Sequence, residues 1–308
     1  MQRPLAMAPL AALLLLAAVE VTAHARSRMA VAPLSDWQAA ARVVRTELRS
    51  KDLLTSAPSY TDPLLREVLG DAIGLQMAGR SDVAAYERLW VLSIDGKTAP
   101  EALGRRLELQ RTVGRVTVSR YALGQSTLAF DLTSAVRGAE VSTGPRELPR
   151  PCNWRRLRAP RGGGLGLGVL PPVSRFVCEG GGWVAPVVQE DLDNTPRYCV
   201  RQGVSARTPV RVQLRDVPLG QRLVVHHGLY YEDERMRRGA DVELRVYVDD
   251  HELGRSVHHD GDGWRRTAWR TRGGERGDVT IEARTRSPGE RSFCWAASTR
   301  TTAREVVR

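Results

Sequence analysis

The tightest constraint on this chain is a two-residue period. DVELRVYV (residues 241–248) sets Val242, Leu244, Val246 and Val248 on one face and Glu243, Arg245 and Tyr247 on the other. DVTIEA (278–283) repeats the rule with Val279, Ile281 and Ala283. Successive strand side chains point to opposite faces, so this period belongs to strands with one face buried. TPVRVQLRDV, RLVVHHGLYY, WRRTAWRT and RSFCWAASTR are further short runs of β character, separated by PLGQ, DDHELG, DGDG, RGGERGD and SPGE. Short strands joined by regular turn signals predict an antiparallel β-sandwich or jelly roll over residues 197–303. Residues 304–308 read as a tail.

The pattern differs before residue 197. Residues 35–50 read as a helix: Ser35 and Gln38 form a capping box, and Trp37, Ala40, Ala41, Val44 and Leu48 make one apolar face. Residues 51–58 read as a turn and a short buried strand. Residues 61–71 read as a second helix, with Pro63 in its first turn. LWVLSI (89–94) is a second buried strand. Between residues 111 and 132, VGRVTVSRYAL and STLAFDL add two strands to the same sheet. Together these predict a small α/β domain over residues 26–143. GPRELPRPC, RGGGLGLG and LPP mark residues 144–196 as a Gly/Pro-rich connection. The expected class is α+β overall.

The first 25 residues have the parts of a secretory leader. Arg3 gives an early positive charge, LAALLLLAAV is apolar, and Ala23 and Ala25 flank His24 as small residues before a cut after Ala25. The apolar run is shorter than the roughly 20 residues a membrane helix needs. The four cysteines, Cys152, Cys178, Cys199 and Cys294, lie beyond it. An even count in an exported chain favours disulfides, and three pairings are open. Cys152 and Cys178 bracket the connection. Cys199 and Cys294 sit on the first and last strands of the expected sandwich, and such strands often lie side by side. Closing that long loop would contribute roughly 4 kcal/mol. The expected location is periplasmic or secreted.

The formal net charge is +11. Lysine occurs only at Lys51 and Lys97, and the arginines are spread along the chain with no basic block. That distribution argues against a nucleic-acid partner and leaves a glycan, an anionic envelope polymer or a membrane protein as partner classes. No GxSxG, HExxH or Walker loop occurs. RGGGLGLG lacks the GK[ST] ending of a phosphate loop.

Residues 36–64 carry Trp37, Asp52, Ala57 and Pro58 in a helix–turn–strand order. This stretch resembles the soluble extracytoplasmic region of membrane-embedded glycosyltransferases that use lipid-linked sugars. The chain lacks that family's many transmembrane helices, so the resemblance does not imply transferase activity. GRSVHHDGDGWRRTAWRT and RSFCWAASTR resemble the corresponding parts of galactose-binding-like β-sandwiches. That resemblance implies a sandwich with loops at one end that bind glycans, and sometimes a structural calcium.

Glycan binding calls for aromatic platforms and planar polar groups, so the candidate ligand residues are Tyr230, Tyr231, Trp264, Arg265 and His227. Trp269 and Trp295 read as core. His226–His227 and His258–His259 could meet at a metal, although each pair offers only one ligand to a given side of a sheet. Asp260-Gly261-Asp262-Gly263 resembles the start of a calcium loop, but its twelfth position is Thr271, and a tight turn explains it better. No cofactor is expected. The leading function class is a non-catalytic, exported, glycan-binding protein or an accessory of cell-envelope polysaccharide assembly. The alternatives are a glycan-active enzyme, hydrolase or divergent transferase, and a structural or protein-interaction module of the envelope.

Overall fold

A computed structural model describes residues 12–22, 32–158, 170–180, 182–204, 208–286 and 291–302. The chain divides into two compact units, one of Met1–Ala72 with Arg88–Leu123 and one of Ile73–Glu87 with Gly124–Arg308. Residues 12–22 are helical, with Leu13, Leu14, Leu15, Leu16, Val19 and Val21 exposed. No helix among the described residues is long and apolar enough to cross a membrane. Ala23 and Ala25, the expected cleavage residues, lie outside the described residues, as does RGGGLGLG.

Beyond residues 12–22, the described part of the first unit is a four-stranded sheet with two α-helices. Helix α1 (Leu34–Glu47) buries Trp37, Ala40, Ala41 and Val44, the face read from the periodicity. It starts one residue earlier than predicted. Pro33 occupies the cap position, and Ser35 makes no capping hydrogen bond. The sheet runs β1 (Asp52–Ala57), β2 (Arg88–Ser93), β4 (Val116–Ala122), β3 (Arg106–Val113). β1 and β2 are parallel and the other pairs antiparallel. Helix α2 (Asp62–Leu69) packs on β1 and α1. Gly114, at φ +58°, turns β3 into β4 where an added Cβ would meet the Asp36 carboxylate at 2.2 Å. The STLAFDL strand does not extend this sheet. As β5 (Leu128–Asp131) it pairs with the last strand of the second unit, and polar, exposed β3 takes the place expected for it.

Asp52 locks the buried side of this sheet. Its carboxylate accepts from Arg88 Nε at 2.7 Å, Arg88 Nη2 at 2.5 Å, Trp90 Nε1 at 2.9 Å and the Arg49 backbone N–H at 2.9 Å. Arg88 also donates to the Glu47 carbonyl. A buried carboxylate is tolerated where every lone pair is met in this way.

The second unit is a β-sandwich. One sheet runs β16 (Arg265–Arg270), β13 (Arg222–Leu229), β18 (Phe293–Arg300), β11 (Pro196–Gln202), β10 (Trp183–Glu190), β9 (Ser174–Val177), β8 (Asn153–Arg156), with β5 also on β18. The other runs β15 (His251–His258), β14 (Val242–Val248), β17 (Arg276–Thr285), β12 (Val210–Pro218), β6 (Glu140–Thr143), β7 (Arg150–Pro151). Leu223, Val225, Leu229, Phe293, Trp295 and Ala297 from the first sheet meet Val210, Val212, Leu214, Val242, Leu244, Val246, Val279, Ile281 and Ala283 from the second in one core. Each fully buried aliphatic side chain contributes roughly 1.5–3 kcal/mol. Trp295, expected in the core, is fully buried and donates Nε1 to Gln202 at 2.6 Å.

The sandwich begins well before residue 197. β5 to β10 belong to it, so the boundary read at 143/144 falls inside the unit and the "connection" supplies strands to both sheets. Several of these strands are too short to show a period: β7 has two residues, and β8 and β9 have four each. β10 contains Pro186, which is tolerated because β9 covers only Trp183 and Val184 on that edge. Residues 73–87 also join this unit. There Tyr198 N–H donates to the Gly79 carbonyl at 2.6 Å, and Asp82 pairs with Arg300 at 2.7 Å and lies 3.4 Å from His226.

Two disulfides staple the sandwich, Cys152–Cys178 and Cys199–Cys294. Cys152 is the residue at which the chain leaves β7 in one sheet and enters β8 in the other. Cys199 and Cys294 join neighbouring strands β11 and β18 across a separation of 95 residues. Replacing both Cys199 and Cys294 by Ala is expected to cost about 4–5 kcal/mol through the loop-closure entropy restored to the unfolded chain, read as a lower denaturation midpoint. An unchanged midpoint would show that the β11–β18 pairing alone sets this stability. In the first unit, Asp52→Ala leaves Arg88 buried without its partner, and a loss of about 3–5 kcal/mol in urea unfolding is expected.

Candidate functional site

Strand β12 builds the site from its alternation. With Val210, Val212 and Leu214 in the core, Arg211, Gln213 and Arg215 must face outward. β6 presents Glu140 and Ser142 beside them, at the register Gln213↔Glu140 and Arg211↔Ser142. β17 presents Thr280 opposite Gln213 on the other side. Residues from the β6–β7 turn and the β14–β15 turn rise around this face. Together they enclose an open cleft of about 730 Å³ lined by Glu140, Ser142, Arg146, Arg211, Gln213, Arg215, Asp250 and Thr280, among others.

The floor of the cleft is laced by paired charges. Arg211 Nε donates to Glu282 at 3.0 Å and its Nη2 to the Gly144 carbonyl at 2.6 Å. Arg215 grips Glu140 with Nε at 3.2 Å and Nη2 at 3.0 Å, while its Nη1 donates to Asp278. These carboxylates hold the Arg215 guanidinium above its ordinary pKa. Asp278 is held below the usual carboxylate range by the Asp216 backbone N–H and by Arg215. The ladder continues over the sheet, from Glu282 to Arg284 at 3.1 Å, Arg284 to Glu243 at 3.4 Å and Glu243 to Arg245 at 2.9 Å. Fixed guanidinium, carboxylate, amide and hydroxyl groups on one face suit a ligand rich in hydroxyl groups.

The β14–β15 turn is tight. Val248 pairs with His251, and Asp249 and Asp250 both have positive φ, at 48° and 63°. This is the backbone a two-residue hairpin of type I′ requires. Asp249 Oδ1 accepts the Asp278 N–H at 2.8 Å, which fixes the turn and so the place of Asp250.

The residues singled out by sequence lie elsewhere, on β13 and around the β13–β14 and β15–β16 connections. Tyr230 and Tyr231 meet edge-on at 4.5 Å, and burial first raises the Tyr230 pKa. Tyr230 lines a groove of about 580 Å³ with Leu170, Pro172, Pro186, Val188 and Pro196. Arg265 is spent on its own turn, donating to Asp262 at 2.8 Å and to the Val257 carbonyl at 2.9 Å. Trp264 was expected as an open platform. Instead it is half-buried, packed against the Cys199–Cys294 cluster and over Gly228, where an added Cβ would meet its ring at 2.8 Å. Trp269 is half-buried against the core.

His227 is corrected from ligand candidate to interior residue, because its place on β13 points it between the sheets with no exposure. His226, one residue earlier, faces outward to Asp82. The two histidine pairs do meet, but through one member each: the His227 and His258 rings lie 5.4 Å apart, edge to face. His227 Nε2 lies 3.0 Å from Ser256 Oγ, and His258 Nε2 lies 2.8 Å from Glu234, which also accepts the Leu229 and Gly263 N–H groups. No cluster with the ligands of a metal ion occurs among the described residues. In the DGDG turn Gly261 and Gly263 have positive φ, Asp260 pairs with Arg291 at 2.9 Å, and Asp262 pairs with Arg265.

The cleft residues were missed for a definite reason. Arg211, Gln213 and Arg215 alternate in TPVRVQLRDV, which was the available signal, but a polar strand face reads as solvated. Glu140, Ser142 and Arg146 had been assigned to the α/β domain and the connection, so nothing placed them beside β12.

No family model matches the chain, and no curated protein does. Similar solved structures include a carbohydrate-binding module of family 51 with a neighbouring domain from Clostridium perfringens ZmpB, in complex with GlcNAc. It has 11% identity and a TM-score of 0.32, over 65% of this chain and 41% of that one. A family 51 module from a Clostridium perfringens glycoside hydrolase of family 95, in complex with methyl-galactose, has 12% identity and a TM-score of 0.25, over 41% and 77%. Tandem family 51 modules of a family 98 glycoside hydrolase from Streptococcus pneumoniae have 10% identity and a TM-score of 0.29, over 61% and 56%. This chain thus spans about two fifths of the first of these and just over half of the third. The functional reading of this chain rests on its own side chains.

Burial pushes the His227 pKa down to about 3, with the neighbouring His258 adding to the effect. The unfolded chain takes up that proton near pH 6.5, so stability is complete above that pH and falls as the pH drops toward 3. From pH 7 to pH 5 this one group accounts for about 2 kcal/mol. His227→Phe keeps a ring against Phe293 and removes that share. In urea unfolding, the variant should lose about 2 kcal/mol less than the parent over this interval. Equal losses would contradict the burial assignment.

Proposed function

We propose that this protein is an exported, non-catalytic glycan-binding protein of galactose-binding-like sandwich type, serving as an accessory in cell-envelope polysaccharide assembly. The N-terminal unit is read as its α/β domain, and the apolar residues at 12–22 as part of a cleaved leader. Two disulfides support an oxidising compartment.

The observation that carries the binding reading is the cleft on the outer face of the six-stranded sheet. Its volume suits a short oligosaccharide. Its floor offers Gln213, Ser142 and Thr280 between the fixed arginines Arg211 and Arg215, so the partners for sugar hydroxyls are in place before a ligand arrives. Such pre-organisation lowers the ordering cost of binding. Binding is favoured over hydrolysis because Glu140, the carboxylate on the cleft floor, is gripped by Arg215, while Asp250 stands at the rim with its side chain turned to solvent. A hydrolase needs two carboxyl groups free to act on either side of a glycosidic bond.

Gln213→Trp fills the cleft from its floor without touching the core face of β12. On a glycan array followed by calorimetry with the strongest hit, at least a tenfold loss of affinity is expected, with Trp264→Ala within twofold of the parent. Loss in Trp264→Ala and retention in Gln213→Trp would move the site to the loop end. The absence of any glycan hit would remove the reading altogether.

A further inference from the structure

We propose that the sugar held in this cleft carries a carboxylate, and that Arg146 is the residue that receives it. This rests on the reading of the cleft as a glycan site.

The three arginines of the cleft differ in what they have left to give. A guanidinium has five N–H donors in a planar fork. Arg211 commits Nε to Glu282 and Nη2 to the Gly144 carbonyl. Arg215 spends Nε and both terminal nitrogens on Glu140 and Asp278. Arg146 Cζ lies over the Tyr247 ring, 3.9 Å from its centroid. Its one carboxylate neighbour among the described residues is Asp250, at 3.9 Å, outside hydrogen-bond range. Asp250 itself is turned to solvent, with its side chain 85% exposed.

Among the described residues, Arg146 is thus placed over a ring with no hydrogen-bond partner. Stacking on an aromatic ring holds the guanidinium plane at little cost to its donors, because those lie at its edge. The ring below it is no mobile surface group: Tyr247 is nearly buried on β14. A planar, fixed fork with free donors matches a carboxylate, which it binds through two parallel hydrogen bonds. Glu140 faces the same space and repels an anion near the Glu140–Arg215 pair, so the carboxylate sits at Arg146, whose own neighbour Asp250 is turned to solvent. A hexuronate residue in an oligosaccharide meets both demands, with hydroxyl groups for the floor and a carboxylate for the wall.

The test compares a hexuronate oligosaccharide with its carboxyl-reduced, neutral counterpart by calorimetry at fixed salt, on the parent and on Arg146→Gln. The expected result is at least tenfold tighter binding of the uronate by the parent, and loss of that preference in Arg146→Gln. Equal affinity of the parent for both sugars overturns the carboxylate assignment and leaves the glycan reading standing. A preference that survives in Arg146→Gln overturns the role of Arg146. Displacement of the uronate by an equal concentration of inorganic phosphate shows a general anion site and overturns the assignment to a sugar acid. Binding of neither sugar overturns this inference together with the reading it rests on.

Discussion

The packing of two antiparallel sheets against each other is the constraint from which the rest follows. Val210, Val212 and Leu214 on β12 and Val279, Ile281 and Ala283 on β17 must enter one core. The pleat then commits Arg211, Gln213, Arg215, Thr280 and Glu282 to the opposite face. The register sets Arg211 across from Glu282 and Glu243 across from Arg284, so cross-strand neighbours carry opposite charge. A one-residue slip would expose the valines and break that ladder at once. The same register that satisfies the core therefore places the polar groups of the cleft.

Loops complete what the strands begin. The β6–β7 turn brings Arg146 over Tyr247, and the tight β14–β15 turn sets Asp250 at the rim. Cys152 sits just beyond that first turn, where the chain crosses between sheets, and its bond to Cys178 holds the crossing in place. The disulfide thus bears on the cleft wall as well as on stability. At the other set of loops, Glu234 gathers His258 and the Leu229 and Gly263 N–H groups, so that region is organised by an interior polar network. His227 lies within that framework, and Trp264 packs beside it on the Cys199–Cys294 cluster.

What was legible in the sequence was whatever repeats. Helix α1 and its apolar face, the core positions of β14 and β17, and the adjacency of Cys199 and Cys294 all follow from period or position. What escaped was set by distant pairing. β5 looks like an extra strand of the first sheet but bonds to β18, more than 160 residues away. β7, β8 and β9 are too short for a period and sit among proline and glycine. Residues 73–87 join the sandwich through Gly79 and Asp82, which no local pattern announces. The site suffered most, because its floor and walls come from β6, β12, β17 and two turns that only the fold brings together.

The central claim is the place where ligand meets protein. Nitrogen-15 chemical-shift mapping of the protein during titration with the strongest-binding oligosaccharide tests it most directly. The account predicts shifts concentrated at Ser142, Arg146, Gln213, Asp250 and Thr280, with side-chain signals of Gln213 and Arg146 among the largest. Shifts confined to Tyr230, Tyr231 and Trp264, with the cleft silent, would contradict it.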